Sequence, residues 1–224
     1  MSVDRTWLIL QLTDSAFPTG SLAHAGGLEA AWQMGEIAGR DGLCAFIDAA
    51  QQQIATSAAP ILAGVLKSAD RFEELDQLFD AMLVNHVANR ASRTQGQAFL
   101  ATATRVFGVP ALVALQQAVR DRKLPCHLPA AFGAVYASLE LDVERAVSHY
   151  LFLNLRGLIS AAVRLGIVGT LEGQSIVFEL SPQAPAWIQT ALSISEPEAA
   201  AQSSPLIDFY QAYQDQLYSR LFVS

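Results

Sequence analysis

The sequence predicts an all-α fold: a single globular domain over residues 1–224, built from roughly eight to ten helices and closed by a C-terminal helical arm. Three observations predict it. Apolar residues recur at three- and four-residue steps along most of the chain, strand-like alternation is nearly absent, and 224 residues with 52% apolar content suffice for one sizeable core.

The first apolar stripe runs from Thr6 to Leu12 and ends at the Phe17 to Gly20 turn, where Pro18 and Gly20 break the helix. Stripes follow at Gly27 to Met34 and Leu43 to Ala55. From Arg71 to Arg90, RFEELDQLFDAMLVNHVANR sets Phe72, Leu75, Leu78, Phe79, Met82, Leu83 and Val87 on one face and acids on the other, which predicts one amphipathic helix. Further helices are predicted at Ala91 to Phe107, Ala111 to Arg120, Phe132 to Leu141 and Val143 to Leu165. Breaks fall at Gly108 to Pro110, Leu124 to Pro129 and Gly169 to Gly173. The run QSIVFEL, Gln174 to Leu180, alternates like a strand but has no partner run, so it reads as a helix or an extended loop. The segment SEPEAAAQSSP, 195–205, reads as a flexible connection to the last helix, Leu206 to Leu221, which with the residues up to 224 forms the arm.

Composition narrows the function classes. The net charge is −7, with acids against bases 7 to 3 over residues 1–70, 8 to 8 over 71–150 and 6 to 3 over 151–224. No segment is basic enough for a phosphate backbone, so no nucleic-acid partner is expected. Arg156 and Arg164 interrupt the most apolar run, Ala146 to Gly169, below the ~20 residues a bilayer crossing needs, so that run reads as a buried helix and not a membrane span. The N-terminal patch, flanked by Asp4 and Asp14 without a small-residue cleavage site, does not read as a signal peptide. Two cysteines, Cys44 and Cys126, are too few for a disulfide framework, and a cytoplasmic setting is expected.

No phosphate-binding G-x-x-x-x-G-K-[ST] and no G-x-S-x-G elbow occurs, and His24, His86, His127 and His149 are too dispersed to define a triad. Cys126 and His127 are adjacent, a spacing at which side chains diverge, so no tight metal site is expected within one chain, although a dimer axis doubles every ligand. Glu140, Asp142 and Glu144 read as a solvated helix start. His86 and His149 read as core or groove histidines. In the stretch DSAFPTGSLAHAGGLE, Asp14 to Glu29, a second helix is expected to begin near His24 to Gly27 and to carry Leu28, Ala31 and Trp32 into the core. A cap needs only Ser21 or its like, which leaves His24 and Glu29 as candidates for a site. In the arm, Leu206, Phe209, Tyr210, Tyr213, Leu217, Tyr218, Leu221 and Phe222 crowd one short segment; they read either as partner anchors or as residues docking onto the chain's own body.

The run DSAFPTGSLAHAGGLEAAW resembles the N-terminal signature of the urease accessory protein UreF family, in which an F-P-x-G turn precedes a histidine and G-L-E. NRASRTQGQAFL, Asn89 to Leu100, resembles that family's R-x-x-S/D-x-x-Q/L-G element, and CHLPAAFGAVYASLELD, Cys126 to Asp142, its H-x-P-x-x-F-G stretch. YLFLNLRGLISAAVRLGIVGTLEGQ, Tyr150 to Gln174, resembles its long apolar helix and closing glycines, and LYSRLFVS its terminal L-Y-S-R-L-F. The chain departs at Ala25 and Gly26, at Ala212 to Gln214 where the family often has M-x-H, and at Val223.

The resemblance implies a non-catalytic, all-helical cytoplasmic protein that dimerises, binds UreD (also called UreH) and recruits the GTPase UreG, so that nickel reaches apo-urease. It implies no resident cofactor, with nickel handled only transiently. Carried onto this chain, it marks Pro18, Gly20, His24, Gly27, Leu28, Glu29, Arg93, Gln95, Gly96 and His127 as candidates for partner contact or nickel transfer. In the arm it marks Phe209, Tyr210, Tyr213, Tyr218, Arg220, Leu221 and Phe222 for partner binding. A regulator of UreG turnover that never touches the metal and a nickel-binding chaperone are the alternative readings.

Overall fold

A computed structural model describes residues 5–14, 17 and 24–223, and among the described residues it is helical without a strand. The helices are α1 (Arg5–Thr13), α2 (Leu28–Gln33), α3 (Gly39–Thr56), α4 (Ala58–Lys67), α5 (Phe72–Met82) and α6 (His86–Phe107). They continue as α7 (Pro110–Arg122), α8 (Leu128–Ser138), α9 (Val143–Arg164), α10 (Thr170–Leu180), α11 (Ala184–Ser193) and α12 (Pro205–Tyr213). The all-α expectation holds.

The centre is a pair of small-residue helices. α4, AAPILAGVLK, is buried from Ala58 to Val65, and α8, LPAAFGAVYAS, from Pro129 to Tyr136. Small side chains let the two axes approach closely: a Cβ on Gly133 would sit 2.5 Å from the Leu62 carbonyl oxygen. α6 packs on the other side of α8, stacking Phe99 on Phe132 at 5.0 Å, and Phe132 stacks on Tyr136 at 4.4 Å. α9 closes the core. It is the one described helix long and apolar enough to cross a membrane by length and composition, and most of it lies inside the fold.

α1 is held by a relay of hydrogen bonds. Thr13 Oγ1 donates to the Ile9 carbonyl at 2.6 Å, so it accepts from His149 Nε2 at 2.8 Å. His149 Nδ1 then accepts from the Tyr136 hydroxyl, and Arg156 donates to the Thr13 carbonyl. Burial, with the Arg156 charge adding to it, pushes His149 down to about 4. His149 is thus a core histidine, as expected, whereas His86 is exposed and pairs with Asp215 at 3.4 Å.

Three expectations are corrected. The stripe over 71–90 is two helices, because the Asn85 side chain accepts from Val87 and Ala88 N–H and starts α6 there. The apolar stripe continues across this cap, so periodicity alone does not register it. α4 carries apolar residues all round and α11 is short, so neither gives the one-sided stripe that predicted the others. QSIVFEL lies in α10, which begins at Thr170, so only Gly169 of the expected Gly169 to Gly173 break precedes the helix. The last helix stops at Tyr213; a 3₁₀ turn, Gln214–Gln216, and a non-helical tail replace its expected second half. The 195–205 connection runs beside α3, where Ala201 N–H donates to the Thr56 carbonyl at 2.9 Å and Ser204 N–H to Gln53 Oε1 at 2.9 Å.

Candidate functional site

The most distinctive polar arrangement lies where α2 meets the chain's last residues. Gly27 precedes α2 as its N-terminal cap, with a φ of +87° that is open to glycine at little cost. A Cβ there would lie 3.0 Å from Gln211 N and 3.2 Å from Tyr210 Cβ, so Gly27 also lets α12 cross at close range. Leu28 is fully buried and fixes the helix in the core, while Trp32, expected there as well, is 39% exposed.

That placement turns Glu29 toward the tail. Its carboxylate is 1% exposed. Oε1 accepts from Leu221 N–H at 2.6 Å; Oε2 accepts from Phe222 N–H at 3.1 Å and from Gln214 Nε2 at 2.6 Å. A buried carboxylate is tolerated only when its lone pairs are engaged in this way. Both oxygens therefore carry hydrogen bonds to the tail. Gln214 Nε2 supplies the side-chain N–H for this carboxylate.

The rest of the tail is fastened around this clasp. Gln33 Nε2 donates to the Ser219 carbonyl at 3.0 Å, and the Arg164 guanidinium sits 4.3 Å from the centre of the Phe222 ring. Asp215 gathers Arg90 at 3.1 Å and Arg220 at 2.9 Å. Phe222 and Tyr210 are buried, with Tyr210 against Phe46 at 6.3 Å. Tyr213 is half-buried and stacks on Phe209. Phe209, Leu221 and Tyr218 face out, Tyr218 with its whole side chain free of the fold. The arm residues thus split into an inner set that docks and an outer set that is displayed.

A second cluster joins α5, α6 and α8. Asp76, fully buried, accepts from Cys126 N–H and His127 N–H, each at 2.7 Å. Burial outweighs these two donors and, with the Asp80 charge adding, pushes its carboxyl up to about 6. His127 Nε2 bonds Asp80 Oδ1 at 3.0 Å and its ring meets Phe79 edge-on at 5.1 Å, while Nδ1 is buried without a partner. Burial lowers the His127 pKa, so the ring is neutral. Asp80 is held below the usual carboxylate range, chiefly by the Asn89 side chain.

Gly96 makes this junction possible. A Cβ there would lie 2.1 Å from the Cys126 carbonyl oxygen and 2.6 Å from the His127 carbonyl carbon. Arg93 is exposed nearby, and its charge reaches Asp76, Asp80 and His127. The Q-G of the Asn89 to Leu100 element therefore serves helix approach at Gly96, while Gln95 lines a cavity on another side of α6. Both cysteines are free, and burial followed by the Asp76 charge pushes the Cys126 thiol up to about 12. No group of three His, Cys, Asp or Glu side chains able to hold a metal occurs among the described residues.

Of the N-terminal candidates, Pro18, Gly20 and Ser21 lie outside the described residues. His24 is half-buried at the wall of the same cavity as Gln95; burial, then the Arg90 charge, lowers its pKa. Asn85 and Asp76 are not singled out by the sequence, and Gln214 only as part of a departure from the resembled family's pattern. Only Asn85 carried a signal, an N-cap residue type directly before a helical run.

The UreF family model matches residues 37–181, well over half of the chain. The chain belongs to the urease accessory protein UreF family. Urease accessory protein F of Arabidopsis thaliana is 35% identical over 222 residues, covering 97% of this chain and 92% of the relative. Urease accessory protein F of Oryza sativa subsp. indica is 33% identical over 226 residues, covering 99% and 86%. Urease accessory protein UreF of Corynebacterium efficiens is 29% identical over 226 residues, covering 98% and 97%. UreF membership places the chain in urease maturation, among accessory proteins and not named enzymes. The matched UreF segment spans α3 to α10 and contains the Asp76 junction; the Glu29 clasp lies outside it.

Proposed function

We propose that this chain is a non-catalytic scaffold that bridges UreD (UreH) and the GTPase UreG so that nickel is delivered to apo-urease. The observation that carries the reading is the clasped arm. Glu29 fixes a short non-helical tail whose Phe222 docks while Tyr218 and Leu221 stay exposed, and Phe209 of the preceding helix α12 is exposed as well. A partner surface held in place before binding loses less entropy on association, and exposed aromatics are the side chains that anchor interfaces. A homodimer in the cytoplasm, with no nucleic acid and no membrane, belongs to the same proposal.

Size-exclusion chromatography with light scattering tests it, on the chain mixed with UreD and then UreG from the same source, with nickel and a non-hydrolysable GTP analogue. A stable complex of all three supports the scaffold; a chain that runs alone under every condition overturns it. Deleting residues 206–224 should abolish UreD binding while the remaining chain keeps its helical signal.

A further inference from the structure

The net charge of −7 conceals one basic region. Between Asp80 and Glu140 the chain carries six Arg or Lys and a single acid, Asp121. α6 and α7 fall inside this stretch, and a groove of about 440 Å³ runs between them. Arg93, Arg120 and Lys123 line it, all three exposed, and no acidic side chain occurs among the described residues of its wall.

Elsewhere the bases are matched. Of the fourteen Arg and Lys, only Lys67, Arg93, Arg105, Arg120 and Lys123 make no hydrogen bond, ion pair or ring contact to a described residue, and three of these line the groove. Arg105 stands one turn of α6 beyond the groove residue Ala101 and extends the same basic edge. The carboxylates whose charge reaches Arg93 are already engaged: Asp76 by Cys126 and His127 N–H, Asp80 by Asn89 and the His127 ring. Cations left without carboxylates of their own chain repel one another, and an opposite charge brought from outside relieves that repulsion.

The floor says what carries that charge. Leu100, Val119 and Leu124 lie between the cations, so the groove offers apolar surface as well as charge. No aromatic ring occurs among its described residues for a base to stack on, and three cations are few for a phosphate backbone. Arg93 and Arg105 are about 18 Å apart along the α6 axis, the length of about three turns of a second helix.

We propose that the α6–α7 groove docks an acidic amphipathic helix of a partner protein, its carboxylates meeting Arg93, Arg120 and Lys123 and its apolar face resting on Leu100 and Leu124. No groove residue belongs to the clasped arm, so the proposal stands apart from the scaffold reading.

The probe is a fluorescein-labelled peptide of about eighteen residues with a leucine stripe flanked by glutamates, and its control has the same residues shuffled so that the stripe is broken. In fluorescence anisotropy with the full chain, the probe should bind saturably and the shuffled peptide about tenfold more weakly. Raising salt to about 0.5 M should remove most of the binding. Arg120→Glu should weaken the probe by about tenfold or more, whereas Lys67→Glu, the same charge change at an unpaired base outside the groove, should leave its affinity within about twofold. Both side chains are exposed, so both variants should keep the wild-type helical signal; should Arg120→Glu lose it, Lys123→Glu takes its place. No saturable binding, equal binding of the shuffled peptide, equal losses in the two variants, or tighter binding of a charge-matched single-stranded DNA overturns the proposal.

Discussion

Asp76 and Glu29 are the same device used in two places. Each is a buried carboxylate that accepts two consecutive backbone N–H groups, from Cys126 and His127 in one case and from Leu221 and Phe222 in the other. Their surroundings differ. Asp76 holds the start of α8 between α5 and α6, with Gly96 pressed against the same peptide groups and Phe79 against His127. Glu29 holds a tail whose other side faces water at Tyr218 and Leu221. The same bonds therefore knit the core together at one end and display a surface at the other. If either carboxylate is lost, only the tail can leave and rehydrate without opening the fold.

The largest effect should come from crowding the Asp76 junction. Gly96→Val puts two methyl groups where even one Cβ overlaps the backbone of Cys126 and His127, and neither peptide can step aside without moving α8. A loss of about 4 kcal/mol or more is expected in urea unfolding, if the variant folds at all. Next, Asp76→Ala should cost about 3 kcal/mol by stranding two buried donors. Glu29→Ala removes an equal number of backbone acceptors but should cost only about 1–2 kcal/mol, a ceiling set by how firmly the tail docks. Hydrogen exchange at Leu221 and Phe222 should rise toward free-chain rates, and UreD binding should fall with it. Equal costs for the two alanine variants, with those amides still protected, would mean that the tail is core and the contrast is false.

Acid sharpens the contrast further. His149 has its native pKa depressed from 6.5 to about 4, so the folded state binds fewer protons than the unfolded one. Its contribution is complete above pH 6.5 and is lost as pH falls through 4. Asp76 runs the other way: raised from 3.8 to about 6, its contribution is complete at low pH and is lost as pH rises through 6. Between pH 4 and 6 the two oppose each other, and wild-type stability should change little through them. In Asp76→Asn the opposing slope is gone, so stability should fall more steeply on acidification than in the wild type, by about 1 kcal/mol more per pH unit, read from urea midpoints at half-unit steps. Parallel pH profiles for the two proteins would sink this account.

The sequence disclosed helices wherever one face was buried and one was wet. α3, α5 and α9 carry such stripes and were legible for that reason. α4 was hidden because it is buried on every side. The boundary at Leu83 to Asn85 was hidden because it does not disturb the apolar spacing, even though Asn85 is a strong cap. The candidate site was legible only as a set of residues. Glu29 and the L-Y-S-R-L-F ending were both picked out, yet their contact joins positions 192 and 193 residues apart, which no local pattern encodes. The Gly96 approach was invisible for a similar reason: a glycine in a helix does not say which backbone passes it.

The smallest expected effect concerns a third helical glycine, one that neither carboxylate explains. Gly96 and Gly133 are each pressed by a neighbouring backbone, while Gly157 has open space among the described residues, so the first two should resist a methyl group that the third accepts. Alanine is favoured over glycine in a helix interior through lower unfolded-chain entropy, so Gly157→Ala should stabilise the chain by about 0.5–1 kcal/mol. At this chain length that is a rise in Tm of about 1–4 °C. Gly96→Ala and Gly133→Ala should lower it. A destabilised Gly157→Ala would mean that the helix needs glycine there for its own packing.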